Sequence, residues 1–449
     1  MAKNPVLTVI DGWKSILTGF GVSGKDKLYD FLTQWDRPIE NYLENDYAGD
    51  DVTGRLIDEI PNEGTRSWTE IIGATSEQEK LITNLENKLD VIHKHRHAWV
   101  WSRLYGGSVI LINTNVDSAD LAKPLNLKSE GGEIKALTVL HRFELQPDSS
   151  SITSDIASSN FGLPEFYQLT SSVGNTSSII TKIHYSRLIR FDGSLLPRQK
   201  FRENNYWHDS FITKCRESIR NYNVAHMSSV AAAVDFSVPV IKMKNLADIV
   251  YAGKKDVIES RVHTMNMCKS MMRMILLDES ETLEYLTRTV TGLPELVSKA
   301  EDRLVMSTKM PRTKILGESP KGLQGDGKSE DRQWYDLVSQ ERERVIEKPY
   351  TKLFNLFLEQ LKLPTTISYK FKPLWQQSDQ EKATTYKTYA EADQIYLANG
   401  VISQATVQES RFGGDEFGTE ITLTASDKDI ELEEETPKEE KPTPNGEQS

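Results

Sequence analysis

The chain has 449 residues, 27% of them charged, with 54 basic against 66 acidic side chains and a net charge of −12. That length suits two to four domains or one large elongated subunit with a sizeable core, and the acid excess argues against a protein that grips nucleic acid by neutralising phosphates. Cys215 and Cys268 offer neither a disulfide framework nor a paired metal motif, and the first residues lack a charged segment leading into an apolar signal core. The strongest apolar run, Val109 to Ile112, is far shorter than the roughly 20 residues that span a bilayer, so an intracellular protein with no membrane role is expected.

Read in chain order, the first ~200 residues predict mixed α/β structure: a helix over Ser76–Tyr105, a strand over Ser108–Ile112 and another over Ile134–Leu140. Ser149–Ser159 and Ser171–Ser178 are rich in Ser, Asn and Gly and are expected to be loops. From Asp209 the period changes. Phe211, Cys215, Ile219, Tyr222, His226 and Val230 recur every three or four residues and give one helical face of about six turns. Pro239 limits Val238–Met243 to a strand or loop.

A helix-rich block then runs from Leu246 to about Met274, followed by strands at Met274–Leu277 and Thr282–Leu286. Helical periodicity returns from Leu293 to Met310, with Pro311 as its stop, and Arg312–Ser329 is expected to be a Gly/Pro-rich loop. A long amphipathic helix begins near Glu330, uses Trp334, Leu337, Val338, Glu341 and Val345, and continues through Leu353, Leu356 and Phe357 after an interruption at Pro349. Gln380–Asn399 predicts a further helix stopped by Gly400. Asp427–Ser449 holds nine acids against three lysines, three prolines and almost no large apolar residue; it is expected to be a disordered acidic tail.

Gly322–Ser329 matches the phosphate-cradling GxxxxGK[ST] pattern literally, and Met274–Glu279 mimics an apolar strand ending in an acid that would hold magnesium. The alternative reading is therefore a P-loop ATPase using Lys328 and Asp278. Context argues against it: the loop should follow a buried strand, but Glu318–Lys321 is polar and broken by Pro320, Asp326 puts a negative side chain inside the loop, and the strand-plus-acid segment precedes the loop. His93, His95 and His97 resemble a metal cluster, yet on a helix His95 faces away from the other two; a solvated helix face is expected. Arg142 with Glu144, and Asp278 with Glu279, could form acid/base pairs, but nothing in the sequence places them in a cleft. Met265, Met267, Met271, Met272 and Met274 suggest an adaptable packing surface, by default core. No cofactor or metal site is predicted.

Several separated segments together resemble the portal (head-to-tail connector) family of tailed bacteriophages, in its siphophage and prophage branch. They are Asp51–Pro61 with Gly64–Trp68, then Ala98–Ile112 with Tyr105-Gly106-Gly107, Ile183–Gly193, Trp207–Ser210, Thr291–Pro294, Met310–Leu323, Phe371–Trp375, and Glu391–Gln394 with Gly400–Ser403. The resemblance covers roughly residues 45 to 411, and order and spacing make it specific. Here the two glycines supply a helix-to-strand reversal, and Asp209 is expected to cap the long helix that follows.

The resemblance implies a helix-rich α+β, elongated subunit with wing, stem, clip, tunnel loop and crown. Residues 1–205 would be the wing, 206–234 and 291–311 the stem helices, 235–290 the clip, 312–329 the tunnel loop, 330–411 a long helix with further wing and crown, and 412–449 the acidic tail. It implies a non-enzymatic ring, by family habit of twelve copies, at the capsid vertex of the virion, assembled in the host cytoplasm and passing double-stranded DNA during packaging and ejection. Implied partners are the major capsid and scaffolding proteins, the terminase large subunit and a head-tail adaptor; another head-tail adaptor is the second alternative. Arg312, Lys314, Lys321 and Lys328 would face the DNA channel. Certain family members carry a fused phosphodiesterase-type domain with paired His-x-Thr motifs; this sequence has no such pair, and no fused enzyme is expected. Lys328→Ala should remove no nucleotide turnover, since none is expected; ATP hydrolysis by the purified protein that vanishes in the variant would restore the P-loop reading.

Overall fold

The computed structural model describes residues 35–115, 121–125, 127, 132–158, 160–171, 179–234, 237–242, 256, 259–260, 263, 282–287, 292–317, 328–375, 379–404 and 407. The Met265–Met274 group, Cys268, Asp278 and Glu279, the acidic tail and most of the 235–290 region lie outside them. The chain divides into two compact units, Met1–Leu374 and Trp375–Ser449, so the predicted 330–411 segment falls partly in each. Among the described residues no helix is long and apolar enough to cross a membrane.

The first unit opens with α1 (Glu40–Gly49) and α2 (Asp51–Gly64). Asp50 caps α2 by accepting the Thr53 N–H at 3.0 Å, and Leu56, Ile57, Ile60 and Gly64 form its buried face. Next come β1 (Thr69–Ile72), α3 (Ser76–Lys88) and α4 (Val91–Tyr105). Thr75 and Gln78 form a reciprocal capping box on α3. The single helix predicted over Ser76–Tyr105 is two: Asp90 adopts φ 52°, a left-handed conformation that breaks the hydrogen-bond ladder between them.

Gly106, at φ 90°, closes α4 and turns the chain straight into β2 (Gly107–Asn113), as the paired glycines predict. β2 is the centre of a three-stranded antiparallel sheet between β3 (Ala136–His141) and β7 (Leu188–Asp192). Its apolar residues alternate between two cores: Ile110 and Ile112 join the main cluster with Trp99 and Phe191, while Val109 and Leu111 join a second with Tyr167 and Trp207. Burial on both faces explains why the run is continuously apolar rather than alternating. A second three-stranded antiparallel sheet contains β4 (Leu145–Pro147), β5 (Phe166–Ser171) and β6 (Ile179–His184), and α5 (Arg198–Glu203) follows β7.

The long helix α6 spans Phe211–Val234. Its cap is not Asp209: the Ser210 hydroxyl accepts the Ile212 N–H at 3.1 Å, while Asp209 accepts the Ser210 N–H at 2.8 Å and the Trp35 indole N–H at 2.8 Å. The apolar face also fades earlier than its periodicity predicts. Ile212, Cys215 and Ile219 are buried, but His226 and Val230 are exposed. β8 (Ser237–Lys242) pairs antiparallel with β9 (Thr282–Thr287), and α7 (Leu293–Thr308) returns beside α6. α7 ends before Pro311, because Lys309 turns left-handed at φ 60° and its N–H bonds back to Val305.

Arg312–Leu316, expected as the start of a loop, is the short helix α8, pinned by buried Ile315 and stopped by Gly317 at φ 70°. α9 (Lys328–Arg342) passes through a π-helical turn, Glu343–Glu347, into α10 (Lys348–Leu361). The irregularity therefore precedes Pro349. A proline has no N–H for the carbonyl four residues back, and the wider turn absorbs the mismatch without a break. β10 (Ser368–Phe371) returns to pair with β1. Beneath these elements lie Trp99, Trp334, Tyr350, Phe354 and Phe357, each at most 2% exposed.

The second unit contains α11 (Asp379–Ala398). Gly400 ends it at φ 66°, with the Val401 N–H on the Tyr396 carbonyl at 2.9 Å and the Gly400 N–H on Leu397 at 3.0 Å, the double-bonded glycine stop predicted. The described architecture is helix-rich α+β with exclusively antiparallel pairing.

A Cβ on Gly106 would stand 2.4 Å from the His208 carbonyl oxygen, whereas one on Gly162, also at positive φ (76°), would meet nothing within 4 Å. Gly162→Ala should cost only the conformational term, about 1 kcal/mol, and Gly106→Ala at least ~2 kcal/mol more. Equal denaturation midpoints for the two variants would show that the junction is not closely packed.

Candidate functional site

The four cations expected at a channel occupy three different settings. Arg312 and Lys314 sit on α8, Lys328 is the first residue of α9 with its side chain outside the described set, and Lys321 lies outside it entirely. Among the described residues, the last element before the GxxxxGK[ST] segment is helix α8, whereas a P-loop follows a buried strand.

Arg312 and Lys314 are tied to their own subunit. Arg312 forms an ion pair with Glu301 on α7, lies 3.9 Å from Asp302 and donates to the Ser298 hydroxyl at 3.4 Å. Lys314 pairs with Asp331 on α9 at 3.1 Å. Both cations are about one-third exposed, so each pair contributes modestly, about 1 kcal/mol or less. Together they clamp α8 between α7 and α9. Both described elements that flank residues 318–327, α8 and α9, are thus secured within the subunit.

The α6–α7 helix pair has an equally defined base. The buried Cys215 thiol of α6 lies 3.6 Å from the Ser307 carbonyl near the end of α7, which fixes the two helices as antiparallel. Burial pushes that thiol above the usual range, so Cys215 is a packing residue rather than a nucleophile. Beside it a cavity of about 320 Å³ lies among Arg103, Asp192, Gly193, Lys214, Glu341 and Arg344. Burial lowers Arg103 to about 10, and its guanidinium bonds the Leu56 and Ile57 carbonyls at 2.8 and 3.1 Å, so it remains a cation at neutral pH. Burial would raise the Asp192 carboxyl, but Arg190 at 2.7 Å, with His208 and Arg344, outweighs it and holds Asp192 low. Every charge named here has a structural partner, and no nucleophile and base are brought together.

α6 and α7 also present apolar side chains to solvent: Val224, Met227 and Val230 on α6, Leu296 on α7, and Met306 beside this base, from 47% to 71% exposed. Periodicity carries Val230 along one helical face with Cys215 and Ile219, but burial does not extend to it. The available signal was the polarity of the neighbouring turns, Asn221, Asn223, Ser228 and Ser229, which denies those turns a core.

His93 and His97 lie on an exposed helix face as expected, but His95 does not. His95 is fully buried, its Nδ1 2.8 Å from the Val91 carbonyl and its ring packed edge-on against Trp68, Phe191 and Tyr350, and burial lowers its pKa to about 4. Among the described residues no group of three or more metal-binding side chains converges. Arg142 is likewise buried, donating to the His208 and Pro38 carbonyls, while Glu144 accepts the His141 N–H; the two are not an acid/base pair.

Compared with known proteins, residues 42–395 match the family model described as "Phage portal protein". A Caulobacter sp. (strain RHG1) protein named anti-CBASS protein Acb1 is 28% identical over 403 residues, covering 85% of this chain and 62% of that protein; the chain thus spans less than two-thirds of that relative's length. An uncharacterized protein of Haemophilus influenzae is 23% identical over 409 residues, 89% of each chain. Among solved structures, a chain from the neck of a native GTA particle computed with C12 symmetry aligns at a TM-score of 0.47 and 11% identity, over 82% of this chain and 91% of that one.

Arg312→Glu should destabilise the protein by placing two carboxylates together, and the swap of Arg312→Glu with Glu301→Arg should restore most of the loss. A double variant no more stable than Arg312→Glu in urea titration would remove the ion pair from the anchoring of α8.

Proposed function

Because this chain belongs to the phage portal protein family, whose model spans more than three-quarters of its 449 residues, we propose that it is a subunit of the closed ring at a capsid vertex through which double-stranded DNA is packaged and ejected. The family match carries this reading. In it, α6 and α7 are stem helices, β8 and β9 the start and end of the clip, the 318–327 segment the tunnel loop, and α11 a crown element. The ring has twelve copies and serves as docking site for the terminase large subunit, a head-tail adaptor, and the major capsid and scaffolding proteins. The subunit is a virion component and performs no catalysis of its own. The activity named for the Caulobacter relative belongs to a protein of which this chain matches 62%.

Two features of the molecule support the reading. A cyclic ring needs two different faces on each subunit, one docking on the other of its neighbour. The exposed apolar side chains of α6 and α7 fit such copy-to-copy packing. Secondly, clamping by Arg312 and Lys314 holds the ends of the 318–327 segment, leaving Lys321 and Lys328 as the cations that repeat around the channel. Phosphate contacts made by a few lysines are weak and screened by salt, which suits a duplex that must slide past them.

Imaging of the purified chain should show rings with a central hole. Lys321→Glu with Lys328→Glu should leave those rings intact but reduce packaging or retention of DNA in filled heads. Discrete monomers at all concentrations would overturn the ring, while full packaging by the doubly reversed protein would remove these lysines from DNA contact.

A further inference from the structure

One cavity of the first unit is used by nothing described so far. It has a volume of about 270 Å³ and lies between the start of α10 and the edge strand β7, with Lys348 and Lys352 on one wall and Tyr167, Tyr185 and Arg190 on the other. Its lining holds three cations and no carboxylate.

The three cations are not equivalent. Arg190 is already satisfied, with Asp192 at 2.7 Å, the Tyr167 hydroxyl at 3.1 Å and the Tyr206 carbonyl all accepting from its guanidinium. Lys352 is different. Its ammonium has three N–H donors, and the Leu188 carbonyl, at 2.9 Å on the edge of β7, accepts one. Among the described residues no carboxylate stands within ion-pair distance of Lys352 or Lys348. Burial alone lowers Lys352, to about 8, so it is still mostly a cation at neutral pH.

A charge partly taken out of water without a counter-ion is costly, and other buried charges in this unit are paired, or hydrogen-bonded more fully than Lys352. Asp192 has Arg190, Glu86 has Tyr350 and Trp68, and Arg342 has the Ser67 and Lys372 carbonyls. We infer that the cavity between α10 and β7 binds a single small oxyanion of the phosphate or sulfate class, held by Lys352 and Lys348. The volume of about 270 Å³ accommodates one tetrahedral anion between the two lysines. This site shares no residue with Gly322–Ser329 and does not depend on the ring reading.

The test titrates inorganic phosphate into the full chain at pH 7, against potassium chloride at matched ionic strength, and follows thermal unfolding and binding heat. Phosphate should raise the unfolding temperature saturably, by a few degrees, and Lys352→Met should abolish that rise. Should Lys352→Met fail to fold, Lys348→Met, altering an exposed side chain, should weaken the apparent Kd for phosphate about tenfold. A short DNA duplex should not compete. Phosphate acting no more than chloride, a rise that survives both substitutions, or displacement of phosphate by the duplex would each overturn the assignment.

Discussion

The structure depends on how closely three backbone segments approach at one point. The end of α4, the end of β7 and the start of α6 meet at Gly106 and Gly193: Gly193 donates its N–H to the Gly106 carbonyl at 3.2 Å, and Ser194 and Asp209 exchange N–H bonds at 2.9 Å. A Cβ on Gly193 would fall within 2.7 Å of the Asp209 oxygen, the Gly106 Cα and the Ser102 oxygen at once. That spacing carries the direction of the sheet into the direction of α6. Whatever α6 and α7 do is therefore referred to a rigid point in the body.

Around this junction buried arginines take the place that water or turns usually fill. Arg103 bonds two carbonyls of α2, Arg142 reaches the His208 and Pro38 carbonyls, and Arg342 joins the residues flanking β1 and β10. The Ile57 carbonyl stands four residues before Pro61, which has no N–H to give it, and the Pro38, Ser67, His208 and Lys372 carbonyls lie outside helices and strands. A guanidinium with five fixed donors can satisfy several and keep its charge. The cost is desolvation, visible in the lowering of Arg103 and Arg142 to about 10.

Much of this was legible from residues. Tyr105-Gly106-Gly107 announced the reversal, and β2, α6, α10 and α11 lie where periodicity put them, because in each the local pattern and the packing agree. The misses have a common origin in tertiary context. His95 looks like surface between two other histidines, and only the aromatic residues Trp68, Phe191 and Tyr350, far apart in sequence, make it core. Arg312 and Lys314 look like loop cations until Glu301 and Asp331 arrive from α7 and α9. The cavity at Lys352 was invisible for the same reason: its walls come from β5, β7, a loop and α10, and no local spacing encodes them.

The π turn between α9 and α10 makes those helices one continuous rod with a change of phase inside it. Before the turn Trp334 and Val338 point into the core beside α2; after it Tyr350, Phe354 and Phe357 do so beside α3 and β7. An additional residue in a helix rotates everything downstream by about 100°. The rod thus meets two different parts of the body, α2 before the turn and α3 with β7 after it, and the wider turn takes up one surplus residue between them.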